Sequence, residues 1–179
     1  MAFLKRKNHR PSDSPQPPPA DERAPELFKS VLAHRWAPAL RELGFKGSGR
    51  LFVLPDDRDW VMLGFQSSSA SNAEWVKFTI NLLVVGKQAW EEARERSPHL
   101  SAEPSPNTIG PHRYLQRIGH LTHGGDHWWR LYASQDTEPL VAEILVVLRD
   151  VAVPKLRQEM TDQRPGPRGT FEGIRQDNR

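Results

Sequence analysis

Hydrophobic positions change their period several times along the chain, and each change marks an element. Between residues 26 and 43, Leu27/Phe28, Val31/Leu32, Trp36, Leu40 and Leu43 recur at three- and four-residue spacing and paint one apolar stripe on a helix. Pro38 interrupts it. Its missing N–H and its ring predict a kink, or a break into two shorter helices near Arg35–Ala37. Gly44 stands where a left-handed C-cap residue belongs, and Phe45 is placed to fold back as its hydrophobic contact.

After Gly49 the period becomes two. Residues 50–54 and 60–65 read as strands joined by the turn Pro55-Asp56-Asp57-Arg58-Asp59, and residues 75–85 form the clearest strand. On that strand Val76, Phe78, Ile80, Leu82 and Val84 share one face; Trp75, Lys77, Thr79, Asn81 and Leu83 share the other, which is expected to be mainly wet. Residues 87–96 suit a short charged helix anchored by Trp90, and residues 97–111, with four prolines, read as loop. Residues 112–119 and 127–133 are further strand candidates. A last helix covers about 138–158, with Thr137 as cap, Pro139 in the first turn and Pro154 predicted to kink or shorten it. Helices at both ends of the body and a sheet between them give an α+β fold. It is a two-layer domain with an antiparallel sheet of about four to five strands, flanked by N- and C-terminal amphipathic helices.

The ends differ from this body. Residues 11–25 hold six prolines and should be extended polyproline-like chain within a Pro-rich tail, 1–24; residues 161–179 are an Arg/Gly/Pro tail. The net charge of +3 belongs to those tails, because residues 25–160 carry 16 basic and 16 acidic groups. A neutral body lacks the basic excess a nucleic-acid surface needs, so nucleic acid is not an expected partner. No run approaches a membrane span, and no secretory leader follows the basic start. The chain has no cysteine, which removes disulfides and thiolate chemistry and agrees with a cytoplasmic setting. No nucleotide-binding glycine motif is present, and no cofactor is expected.

In chain order the body also carries Leu40-Arg41-Glu42-Leu43-Gly44-Phe45-Lys46, Phe65-Gln66-Ser67-Ser68, Phe78-Thr79-Ile80-Asn81-Leu82, Arg117-Ile118-Gly119-His120-Leu121, Asp126-His127-Trp128-Trp129-Arg130-Leu131 and Val153-Pro154-Lys155-Leu156. Their order and spacing resemble the DUF4304 family of bacterial proteins, over about residues 25–160. The resemblance implies a domain and no chemistry, since the family carries no agreed catalytic residues.

Three sets of residues invite a functional reading. His120, His123, Asp126 and His127 are donor types that suit zinc or iron, but Gly124-Gly125 breaks any helix after His123, so the spacing is not that of a helical zinc motif. Solvated histidines on a Gly-Gly turn explain the same composition without a metal. The polar turn Gln66–Ser69 has no nucleophile-elbow glycines around it, and Gln66 and Asn81 are better read as hydrogen-bonding across adjacent strands. Arg117, Asp126 and Arg130 with Trp60 and Trp128 suit the lip of a binding groove, since arginine and tryptophan are enriched in binding hot spots. The structural alternative puts Trp129 in the core, Trp128 over one sheet face, and Arg117–Asp126 in a local ion pair. The expectation is therefore a non-catalytic protein-interaction domain with an unknown protein partner. A metal-dependent enzyme using His120, His123, Asp126 and His127 is the alternative.

Overall fold

The computed structural model describes residues 23–161. The expected tails, including the polyproline segment, lie almost wholly outside those residues.

The N-terminal stripe forms α1 (Ala24–Val31), a single π-helical turn (Leu32–Trp36) and α2 (Ala37–Glu42). The helical backbone runs on past Pro38 without a non-helical break. The turn before it widens instead, and the Ala37 N–H reaches back five residues to the Leu32 carbonyl. That extra residue per turn lets backbone continue where proline supplies no N–H and its ring crowds the preceding turn. The C-terminal helix repeats the device. Here α5 (Glu138–Val147) runs through a π turn (Leu148–Ala152) into α6 (Val153–Thr161), with Pro154 again two residues past the turn and the Val153 N–H on the Leu148 carbonyl. Thr137 occupies the N-cap position of α5, but its side chain caps nothing; the Asp136 carboxylate accepts the Glu138 N–H at 3.0 Å instead.

Gly44 ends α2 as expected. Its φ is 98°, its N–H reaches the Arg41 carbonyl, and the Phe45 N–H reaches the Leu40 carbonyl, so two orphan carbonyls are satisfied while Phe45 enters the core. Strands β1 (Lys46–Ser48), β2 (Leu51–Leu54), β3 (Asp59–Ser67) and β4 (Trp75–Gly86) then form an antiparallel meander. The short β1 was not anticipated: all three of its residues are exposed, so no alternation announces it. Next come α3 (Lys87–Arg96), β5 (Tyr114–Arg117), the one-turn α4 (Gly119–Thr122) and β6 (Trp129–Tyr132).

The sheet of six strands has the order β1-β2-β3-β4-β5, with β6 also on β4. β5 and β6 lie end to end along one edge of β4: Arg117 faces Asn81, and Trp129 faces Phe78. Between them the chain leaves the sheet at Ile118, whose N–H still bonds the Ile80 carbonyl, and returns at His127, whose carbonyl accepts from the Thr79 hydroxyl.

The terminal helices cover one sheet face. Their Phe28, Trp36, Leu40, Ile144, Leu148 and Leu156 pack on Phe65, Phe78, Ile80 and Leu82 in the main core, with Trp36 stacked on Phe65 at 5.5 Å. The second face is drier than expected. Thr79 and Asn81 are both fully buried, and Met62, Leu83 and Val85 pack beneath Trp90 of α3 in a smaller cluster. The loop after α3 completes the cover. A Cβ at Gly64 would come within 2.6 Å of Pro106, and Asn107 meets Asn81 at 2.9 Å. The half of this face beside β6 stays partly open, with Trp75 and Lys77 half-buried and Arg130 and Tyr132 exposed.

Candidate functional site

The excursion between β5 and β6 carries most of the chemistry. Gly119 forms its neck: a Cβ there would meet the His127 backbone nitrogen at 2.4 Å and the Gly125 carbonyl oxygen at 2.7 Å, so the limbs close only over glycine. Gly124, with φ of 69°, turns the chain at the tip.

On the second face the excursion lays Trp128 over the sheet. Arg117, opposite Asn81 in register, points to that face and gives an N–H to Asp126 Oδ2 at 2.7 Å; the Trp128 indole N–H donates to the same oxygen at 3.1 Å. The Trp128 ring lies 4.8 Å from the Arg117 guanidinium and 5.2 Å from the Lys77 ammonium. Next to it the Arg130 guanidinium sits 5.4 Å from the Trp75 ring. Arg117 is nine-tenths buried, so the carboxylate and the aromatic face are its compensation for lost water. The floor beneath is polar: the Asn81 amide donates to Gln66 at 2.9 Å and to Asn107 at 2.9 Å, as expected of a cross-strand pair.

These contacts place the predicted binding residues. Arg117, Asp126 and Trp128 form one contiguous group, with Arg130 one strand position along from it. Trp60 is elsewhere. It pairs with Val85, under the Lys87 ammonium, whereas Trp128 lies beside Lys77. Eight residues of extended strand separate those levels, roughly 27 Å at about 3.4 Å per residue. The expected groove with Trp60 and Trp128 on one lip does not form.

The other side of the excursion faces α5. The His123 and His127 rings stack in parallel, 3.7 Å apart and 4° from coplanar orientation, and both meet the Trp129 ring edge-on. The Trp129 indole N–H donates to Glu143 of α5 at 2.6 Å. Burial, and then the neighbouring His123 ring, push the His127 imidazole below its ordinary value, against the opposing pull of Glu143 and Asp126. Ligand atoms of His123, His127 and Glu143 all lie within 4.8 Å of one another. The four-residue set anticipated from the sequence divides: His123 and His127 meet, His120 is exposed on α4, and Asp126 turns to Arg117. Glu143 was missed. In sequence it is an ordinary exposed position on the polar side of α5, and only the tertiary fold sets it beside the histidines.

A family model, described as a domain of unknown function (DUF4304), matches residues 36–158. The chain belongs to the DUF4304 family. The match covers the sheet, both candidate faces and most of the C-terminal helix, and it starts at Trp36, so α1 precedes it. No curated protein and no solved structure matches the chain. Among the described residues of this DUF4304 domain, no helix is long and apolar enough to cross a membrane.

Proposed function

We propose that this DUF4304 domain is a non-catalytic protein-interaction module of the bacterial cytoplasm that docks an acidic protein surface on the open half of its second sheet face. The observation that carries this reading is the cluster of Trp75, Lys77, Trp128, Arg130 and Tyr132, on a stretch of sheet that neither α3 nor its following loop covers. Large aromatic rings supply contact area at small cost in conformational entropy, and the cation–aromatic contacts hold both rings in place before a partner arrives. Lys77 and Arg130 lend the patch a positive sign although the body as a whole is neutral, which favours carboxylate-bearing partners. Arg117 and Asp126 act through Trp128, which they orient from below and from the side. The cytoplasmic setting rests on the cysteine-free composition.

A photo-cross-linking residue in place of Tyr132, with one in place of exposed Val146 on α5 as the control, tests the surface directly. The expected result is a protein captured from the Tyr132 position alone. Its purified form should bind the domain at least tenfold more weakly after Trp128→Ala or Arg130→Glu, and more weakly as salt rises. Capture of RNA in place of protein, or full binding by the Arg130→Glu variant, overturns the proposal.

A further inference from the structure

The geometry points to a divalent transition-metal site, with zinc as the best fit, formed by His123, His127 and Glu143. It lies on the opposite side of the excursion from the docking patch and does not depend on that reading. Two imidazoles and one carboxylate are the donor types zinc accepts, and three protein donors leave a fourth tetrahedral position for water. The three come from separate segments, the end of α4, the returning limb and α5, and still gather within 4.8 Å.

Each ligand is oriented by a second contact. The Thr122 hydroxyl bonds the Ile118 carbonyl at 3.2 Å, as helical threonines do, which uses its only hydrogen. With that oxygen 2.7 Å from His123 Nδ1, the tautomer that carries its hydrogen on Nδ1 donates to Thr122 and keeps the Nε2 lone pair for a metal. Glu143 is steadied by the Trp129 indole N–H on Oε1, which leaves Oε2 to coordinate. His127 is steadied by the edge-on Trp129 ring. Supporting bonds of this kind fix the tautomer and direction of metal-binding side chains, and removing them weakens binding.

The required adjustment is a reorientation of side chains, because the His123 and His127 rings lie parallel and their in-plane lone pairs converge only once one ring turns out of the stack. Zinc bonds of about 2.0–2.1 Å set tetrahedral donors about 3.3 Å apart, so the donors must draw together by roughly an ångström or more. His123 and Glu143 are both exposed, so rotation of their side chains suffices while the sheet and α5 stay in place. His120 and Asp126 take no part.

The test uses the full chain without a histidine tag, stripped with a chelator and titrated with Zn²⁺ by calorimetry and with Co²⁺ by visible absorption. One equivalent should bind per chain, with a cobalt spectrum of nitrogen and oxygen ligation. His123→Ala, His127→Ala and Glu143→Gln should each weaken binding at least tenfold, while His120→Ala leaves it unchanged. Circular dichroism of the stripped variants separates lost ligands from lost fold; Glu143→Gln, at an exposed helix position, carries the test if a histidine variant unfolds. Absence of saturable binding, binding indifferent to Glu143→Gln in a folded variant, or dependence on His120 overturns the site.

Discussion

At the scale of single residues, the excursion depends on Gly119 more than on any histidine. The atoms a Cβ would strike belong to backbone, at His127 and Gly125, and backbone cannot rotate aside as a flexible side chain can. Gly119→Ala should therefore destabilise the domain by about 1–3 kcal/mol, the usual cost of overpacking. Urea unfolding of the two proteins measures this, and equal midpoints would mean that the neck opens freely. The glycine was visible in the sequence as part of Arg117-Ile118-Gly119-His120-Leu121, but its reason was not, because the clash is with residues brought back by the turn at Gly124. The same holds for Glu143. Periodicity places it on the outer side of α5, and nothing local distinguishes it from the other exposed carboxylate of that helix, Glu138.

Elements were legible where burial is one-sided and obscured where it is not. The long strand, α3 and both terminal helices follow their periods closely, since each has an apolar side facing one core. β1 has no buried side, and the wet face predicted for β4 became dry because the loop after α3 and the returning excursion cover it. The proline effects were predicted in kind and not in form, because a π turn ahead of each proline meets the same constraint within continuous helix. The β2–β3 connection gives an element-scale test. Asp56 Oδ1 accepts the N–H groups of Arg58 at 2.9 Å and Asp59 at 2.8 Å, and the Asp59 bond foremost holds the Asp56 carboxyl below its ordinary value. Folding thus favours the ionised form. The resulting stability is complete above the unfolded aspartate value of about 3.9 and is lost as pH falls through the lowered native value. Asp56→Ala should cost about 1 kcal/mol at pH 7 and progressively less below pH ~3.5. Thermal melts across that range check it, and a gap that widens on acidification would show the sign to be wrong.

At the scale of the whole molecule, a buried ion pair among the described residues joins the sheet to the end of α6. Arg113 gives two bonds to Asp59, at 3.2 and 2.5 Å, and two more to the Glu159 carbonyl of α6, at 3.2 and 3.0 Å. Arg113→Met should cost about 3 kcal/mol by stranding the buried Asp59 carboxylate, and adding Asp59→Asn should recover part of that loss. Denaturant titration of the single and double variants decides it; no recovery would place the cost in the α6 contacts instead. The edge of β4 has a different consequence. If residues 119–127 were absent, Arg117, Ile118, Trp128 and Trp129 would fall opposite Asn81, Ile80, Thr79 and Phe78, continuing both registers with every side chain on its present face. The segment bearing three of the histidines is thus a detachable cassette, spliced into an otherwise unbroken strand without altering its phase. Provided that a glycine neck and a partner for Arg117 are kept, evolution or a protein engineer can exchange the rest of its contents, in length and in chemistry, while the scaffold beneath keeps its pattern.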